Sequence, residues 1–142
     1  MPRAKALPLH ALGHDTASVF HMMRAAEIGL RVLARERRVS ATKKRPLDWN
    51  TWGNLIDKIE VTLGGIRKKP NGPKKDLALG FYSGALGHMT ALKDVYRDQV
   101  NHVRRSYDEH ESARVLDRTH DCLLLLSTRL NEDSTRAIGW GI

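Results

Sequence analysis

The sequence predicts an all-α protein, an antiparallel up-and-down bundle of four main helices. Apolar residues recur at intervals of three and four in four segments, as on the buried face of a helix. No alternating run rich in Val, Ile and Thr indicates a strand. The connections are short, which favours antiparallel neighbours. With 142 residues, 41% of them hydrophobic and 28% charged, the chain has the composition of one globular domain.

The first two helices are predicted from caps and apolar stripes. The first runs from about Asp15, a suitable N-cap, to about Arg38. Its inward positions are Val19, Met22, Met23, Ala26, Leu30 and Leu33. The second helix begins near Asn50 and presents one apolar face, formed by Trp52, Leu55, Ile56, Ile59 and Leu63. Gly64 and Gly65 weaken it, and the basic, turn-rich residues 67–75 form a loop.

The last two helices follow the same pattern. The third extends from about Asp76 to Arg105, with its apolar stripe at Tyr82, Leu86, Met89, Leu92, Tyr96, Val100 and Val103. A separate row of small residues predicts close approach of another helix, at Gly80, Gly84, Gly87 and Ala91. Asp108 and Glu111 resemble a capping box for a fourth helix that ends near Leu130, with Leu116, Leu123, Leu126 and Leu130 facing inward. We expect residues 14–130 to form the bundle, and residues 1–13 and 131–142 to be flexible segments.

Charge and cysteine content favour a cytoplasmic protein with an acidic partner. The net charge is +8 and most of the positive charge lies in residues 1–75, which favours a nucleic acid, although sign alone also fits a membrane surface. Cys122 is the single cysteine, so an intrachain disulfide is excluded and a cysteine-based zinc site is not expected. The longest apolar run, Leu123 to Leu126, is far shorter than a membrane span, and the basic start lacks the features of a secretory signal.

Arg97 and His102 are the candidate catalytic pair. An arginine supplies a permanent cation for a phosphate, and an imidazole exchanges a proton near neutral pH. Residues five apart lie about 140° apart around a helix, so the two side chains do not readily converge within one chain. They would converge across a two-fold axis between two copies of the third helix. Asp98 is placed to orient His102, and Asn101 to orient Arg97.

A structural role for the same residues remains open at this point. Arg97 would then pair with Asp94 or Asp98, and His102 would cap a helix end or pack at an interface. An arginine and a histidine at this spacing often occur by chance.

The residues around this pair resemble the helical domain family called HEPN. The similarity runs from Phe81-Tyr82-Ser83 through Leu92 to Arg104 and on to Tyr107-Asp108-Glu109. Residues 19–27, 51–53 and 56–60 are similar to the earlier helices of an uncharacterised bacterial branch of the same family. The resemblance covers about residues 15 to 130 in four blocks.

The resemblance implies a helical, commonly dimeric protein and, for many members, a metal-independent endoribonuclease of toxin–antitoxin, phage-defence or RNA-processing systems. The family motif places the cleavage chemistry on Arg97 and His102. Arg104 stands where one toxin subgroup has a tyrosine, so regulation by adenylylation of that tyrosine is not expected. We expect RNA as substrate, no metal, no cofactor, and an antitoxin or defence-complex protein as a further partner.

Several other residues are candidates for supporting roles. Glu27 shares a helical face with Phe20, Met23 and Leu30, so its carboxylate needs a partner, either Arg24 or the catalytic arginine. Candidate RNA contacts, otherwise plain solvated surface, are Arg24, Arg31, Arg104, Arg105, Lys68 and Lys69. Trp49, Trp52 and Tyr107 have the chemistry to stack on bases, although core or anchoring roles are more common for tryptophan.

Two alternatives to the nuclease stay open. One is a non-catalytic HEPN module that binds nucleotides or assembles with other proteins. The other is a basic nucleic-acid binder without hydrolysis, which would bind DNA and RNA alike in a salt-dependent manner. The width of the four-leucine run favours a homodimer, because its helix is apolar on more sides than one core contact requires.

Overall fold

A computed structural model describes the backbone of residues 15–39, 49–101 and 109–142, and the side chains of residues 17–39, 50–95 and 110–142. This part of the chain is helical and contains no strand, which confirms the all-α prediction. The helices are α1 (Asp15–Glu36), α2 (Trp49–Thr62), the single-turn α3 (Gly64–Arg67), α4 (Pro73–Asn101) and α5 (Glu109–Ser127).

The apolar stripes of the helices meet in one core. Helix α1 packs mainly on α5, and α4 packs on both α5 and α2. The predicted stripes of α1, α2 and α4 supply fully buried side chains, among them Leu30 and Leu33 of α1, Ile59 of α2 and Met89 of α4. On the stripe predicted for the fourth helix, Leu126 and Leu130 are buried as predicted, but Leu116 is 38% exposed, so its inward placement was wrong. Ordinary 3.6-residue periodicity thus identified most of the inward positions. The side chains of Tyr96, Val100 and Val103, also assigned to a stripe, lie outside the described residues.

Two glycines mark the closest approaches between helices. A Cβ atom at Gly84 would lie 3.0 Å from the Leu125 side chain, so α4 and α5 are in near contact there. A Cβ atom at Gly29 would lie 3.0 Å from Leu123 and from Leu126, so α1 approaches α5 equally closely. Gly80 and Gly87 have no such neighbours among the described residues, and the prediction of close packing was wrong at those two positions.

Trp52 joins α2 to α4. Its side chain is buried, and its indole Nε1 donates a hydrogen bond of 3.1 Å to the Met89 carbonyl oxygen. A buried indole needs such an acceptor because an unpaired N–H is costly inside a protein. Trp52 is thus a core residue and not an exposed platform for a base.

Helix α1 ends at a residue in the left-handed region. Arg38 has a φ of 59°, and the Val39 N–H donates to the Ala34 carbonyl at 2.8 Å, which turns the chain away from the helix axis. Glycine is the usual residue at such a position because it lacks a Cβ atom. The reversal places Glu36 and Arg37 at the end of the core, next to α4.

A group that we call the tail cluster, Glu36, Arg37, Tyr82 and Trp140, holds the C-terminal segment against α1 and α4. The Tyr82 hydroxyl donates to Glu36 Oε1 at 2.8 Å and accepts from Arg37 Nη1 at 2.9 Å and Trp140 Nε1 at 3.0 Å. The Ile138 N–H donates to Glu36 Oε2 at 2.8 Å.

These contacts tie residues 138–140 to a fully buried carboxylate. The sequence did not predict them, and the proposed flexibility of residues 131–142 stays a prediction. None of the described helices is both long and apolar enough to pass through a lipid bilayer.

Candidate functional site

The predicted catalytic residues lie where α4 ends. Arg97, Asp98 and Asn101 belong to the last turns of this 29-residue helix, and their side chains lie outside the described residues. His102 follows Asn101 directly and also lies outside them. The convergence of Arg97 and His102 across two subunits therefore stays a prediction.

A pocket of about 260 Å³ opens between α4 and α5, next to that end of α4. Its apolar wall is formed by Ala91, Leu92 and Val95 of α4, together with Val115 of α5. Val95 precedes Arg97 by two residues, so this wall of the pocket lies within one helical turn of the predicted catalytic arginine. The pocket combines an apolar wall with a charged rim, an arrangement typical of small-ligand sites.

The rim of this pocket carries two arginines and a carboxylate. Arg114 and Arg118 are exposed residues one turn apart on α5, and Glu111 lies one turn before Arg114. Within the described part of the chain, neither arginine forms an ion pair with a carboxylate. Their guanidinium groups therefore remain available to an anion.

His88 of α4 lies beside Arg118. Its Nδ1 is 3.4 Å from Arg118 Nη1, a distance at which a neutral imidazole can accept a hydrogen bond if Nδ1 is unprotonated. Partial burial lowers the pKa of His88, the positive charge of Arg118 lowers it further, and Asp121 opposes the shift. Near neutral pH the imidazole is therefore largely uncharged, and the arginines supply the positive charge of this rim.

Glu27 is buried in α1 and forms ion pairs within its own helix. Its Oε1 is 3.0 Å from Arg24 Nη1, and its Oε2 is 3.2 Å from Arg31 Nε. The side chain of Glu27 is 6% exposed, whereas that of Arg24 is 52% exposed. The pairing with Arg24 that the sequence offered as one alternative is present. A contact of Glu27 with Arg97 lies outside the described residues.

The described RNA-binding candidates differ in exposure and in whether they already form an ion pair. Arg31 is largely covered and held by Glu27, whereas Arg24 keeps half of its side chain exposed. Lys68 and Lys69 are exposed in the turn after α3. Arg104 and Arg105 lie outside the described residues. Contact of these side chains with RNA stays a prediction.

Part of the basic loop has a structural role. The ammonium group of Lys75 donates to the carbonyl oxygens of Arg67 and Lys69 at 2.7 and 2.9 Å and to Asn71 Oδ1 at 3.0 Å. Three hydrogen bonds from Lys75 thus close the loop between α3 and α4. Lys75 is for this reason a poor candidate for phosphate binding, whereas Lys68 and Lys69 project from the turn that it stabilises.

A second, apolar groove lies between α1 and α5. It is lined mainly by Ala25, Ile28, Gly29, Val32, Leu123, Leu126 and Leu130. Ile28 and Leu124, on or beside this groove, are 49% and 58% exposed. The four-leucine run therefore does extend beyond the core seam, because Leu126 is buried while Leu124 faces outward.

Among the described residues, no three His, Cys, Asp or Glu side chains cluster in a way that could hold a metal ion. Burial raises the pKa of the Cys122 thiol to about 12, so the thiolate that nucleophilic chemistry requires is scarce at neutral pH. This cysteine is a core residue.

No family model matches the chain, and no curated protein or solved structure is significantly similar to it.

His88, Arg114 and Arg118 were not predicted from the sequence as residues in or beside a pocket. Arg114 and Arg118 do share one face of α5 at the i, i+4 spacing, but the same spacing is common on solvated helix surfaces. Only the packing of α5 on α4 shows that this face borders a pocket.

Proposed function

We propose that this protein is a metal-independent endoribonuclease of the HEPN type, which cleaves RNA at a composite site formed by Arg97 and His102 of two subunits. The observation that carries the proposal is the Arg97–His102 sequence motif, whose arginine lies in the last turns of the long helix α4, in a chain whose described helices and connections contain no strand. The finer architecture that we propose with it is an antiparallel up-and-down bundle of four main helices. A toxin–antitoxin or phage-defence system is the proposed setting.

The proposed reaction begins with the ribose 2′-hydroxyl group. His102 removes the proton from this hydroxyl as it attacks the adjacent phosphorus, or protonates the departing 5′-oxygen. Arg97 stabilises the additional negative charge on the phosphorus-bound oxygens in the transition state. The products are a 2′,3′-cyclic phosphate and a 5′-hydroxyl. DNA lacks the 2′-hydroxyl and is therefore not cleaved.

The charge distribution supports an RNA substrate. The net charge of +8 favours association with a polyanion. Lys68, Lys69 and the outer part of Arg24 are accessible, whereas Arg31 is held by Glu27 and contributes mainly by setting the position of that carboxylate. Glu27 with its two arginines is a positioning group in this proposal, and it supports the helix next to the RNA.

The proposed dimer brings two copies of α4 side by side, so that Arg97 of one copy approaches His102 of the other. The exposed apolar side chains of α1 and α5, Ile28 and Leu124, are a competing contact surface. A Leu124→Glu variant distinguishes the two arrangements. It leaves an α4-mediated dimer intact and dissociates a dimer that uses the α1–α5 groove.

The test is RNA cleavage in excess EDTA by the wild type and by the Arg97→Ala and His102→Ala variants. Loss of a general acid–base histidine costs roughly 10²–10⁴ in rate, so His102→Ala should be almost inactive. His120→Ala is the matched control, because the His120 side chain is 72% exposed on α5, and it should cleave like the wild type.

An unchanged rate for His102→Ala contradicts the proposal. The oligomeric state is measured on the same samples, because only a dimer forms the composite site. Wild-type protein that binds RNA without cleaving it in this assay would instead be the non-catalytic binding module.

A further inference from the structure

We propose that the pocket between α4 and α5 binds the base of one unpaired RNA nucleotide, and that Arg114 and Arg118 bind the phosphate attached to it. We call this pocket the nucleotide subsite. The assignment to RNA rests on the proposed nuclease function. The existence of a nucleotide-sized anion site rests on the described side chains alone.

The size and lining of the subsite fit one base. Its volume of about 260 Å³ is slightly below the range for pockets that hold drug-sized ligands, roughly 300–1,000 Å³, so it suits a single base better than a larger ligand. Ala91, Leu92, Val95 and Val115 provide an apolar wall on which a base can be buried. A base in a duplex is already stacked and paired, so only a single-stranded or looped nucleotide can enter.

The rim charges fit one phosphate. Two guanidinium groups lie on consecutive turns of α5, and Glu111 is the acidic residue on the same rim. Planar guanidinium groups bind phosphate oxygens in a bidentate manner, which a lysine cannot do. Because neither arginine pairs with a carboxylate in the described residues, binding does not first require an existing ion pair to be broken.

His88 of α4 contacts Arg118 of α5. His88 Nδ1 lies 3.4 Å from Arg118 Nη1. Arg118 and Asp121 are the charged groups that act on this imidazole. An uncharged imidazole accepts from Arg118, whereas a protonated one would repel it.

The subsite lies close to the proposed cleavage site. Residues of a helix advance about 1.5 Å each, so Arg97 lies about 3 Å beyond Val95 along the axis of α4. A nucleotide held at Val95 therefore has its neighbour within reach of the end of α4. The subsite thus recognises a nucleotide adjacent to the bond that is cleaved, and cleavage favours unpaired RNA.

The experiment measures binding with the His102→Ala protein, which keeps the RNA intact. The probe is a short, unstructured, fluorescently labelled RNA, and its affinity is determined by fluorescence anisotropy at fixed salt. We expect the additional Arg114→Ala/Arg118→Ala change to weaken binding at least tenfold. The matched control is Arg136→Ala, which removes one exposed arginine from the C-terminal segment and should change the affinity less than twofold per charge.

Two further arms separate base recognition from general charge attraction. Ala91→Leu places a larger side chain in the pocket without altering its charge, and it should weaken the binding of single-stranded RNA severalfold. The parent protein should bind duplex RNA of the same sequence more weakly than the single strand. The double-arginine variant should bind the duplex and the single strand with equal affinity. A free mononucleotide should displace the labelled RNA from the pocket of the parent protein, but only at a much higher concentration than an unlabelled single strand requires.

Failure of the subsite is distinguishable from failure of the proposed nuclease. If the double-arginine variant binds as tightly as its parent, or Arg136→Ala weakens binding equally per charge, the subsite is rejected, and His102-dependent cleavage in the EDTA assay is unaffected by that result. If the parent binds no RNA, the subsite is rejected too, and the EDTA assay on the wild type then decides the nuclease proposal separately. If the subsite binds the single strand as described but the wild type cleaves no RNA, the nuclease proposal fails and the binding site remains.

Discussion

The tail cluster and the nucleotide subsite both use arginine, but in opposite ways. In the tail cluster, Arg37 donates to the hydroxyls of Tyr82 and Thr62 and lies 3.5 Å from Glu36 Oε2. In the subsite, Arg114 and Arg118 are exposed and unpaired with carboxylates within the described residues. A guanidinium whose donors are satisfied inside the protein has a structural role, whereas one that faces a pocket is available to a ligand.

The comparison also explains why the two ends of the core differ in polarity. At the tail cluster, a fully buried carboxylate is tolerated because the Tyr82 hydroxyl, the Ile138 N–H and Arg37 surround it. At the subsite, the buried wall is apolar and the charges remain at the rim, where water solvates them. The first arrangement stabilises one conformation, and the second leaves room for a partner.

The largest expected effect is on the tail cluster. Glu36→Ala leaves Arg37 and the Tyr82 hydroxyl without their buried acceptor, and breaking a buried pair in this way typically costs about 3–5 kcal/mol of unfolding free energy. Urea unfolding monitored by circular dichroism measures this loss. Glu60→Ala is the control, because the Glu60–Arg67 pair is about half exposed and should contribute less than about 1 kcal/mol. Equal losses for both variants would show that the tail cluster is not a structural centre.

A smaller effect is expected for Tyr82→Phe, which keeps the ring and removes the hydroxyl. The unfolding free energy should fall by about 1–3 kcal/mol, since Glu36, Arg37 and Trp140 each lose a hydrogen-bond partner.

The same variant has a pH signature. Burial raises the pKa of Tyr82 from 10.0 to about 12, so the unfolded chain ionises at lower pH than the folded protein. The stability linked to this proton is complete below pH 10 and is lost as the pH rises to about 12. Between pH 10 and about 12, the free energy of unfolding should decline less steeply with pH in Tyr82→Phe than in the wild type. Identical slopes for the two proteins would contradict the assignment.

The smallest effect on stability is expected at the subsite. Arg114→Ala and Arg118→Ala should each change the unfolding free energy by no more than about 0.5 kcal/mol, because both residues are exposed and neither satisfies a buried carboxylate. Thermal unfolding of both variants beside Arg37→Ala provides the measurement. A large loss of unfolding free energy in Arg118→Ala would show that this arginine stabilises the fold. The contrast between the subsite and the tail cluster would then disappear.

Much of the fold was predictable because helical periodicity is local information. The positions of α1, α2, α4 and α5 and most of their inward residues follow from apolar spacing. The start of α4 was placed three residues too late, since Pro73 is suited to the first turn of a helix, where its missing N–H costs nothing. The close contact at Gly84 was predicted, but the same pattern failed at Gly80 and Gly87, because a row of small residues does not show which part of it meets a neighbour.

The candidate site divides in a similar way. The Arg97–His102 motif and the need of Glu27 for a partner are visible in the sequence, because each depends on residues close together along one helix. The sequence by itself thus determined the helices, most of their apolar faces, the exclusion of an intrachain disulfide and the motif. Only the tertiary structure placed His88 beside Arg118, 30 residues apart, and joined Ile138 to Glu36, 102 residues apart. The physical reason is that hydrogen bonding and burial depend on distances in space, which short-range spacing along a chain does not specify.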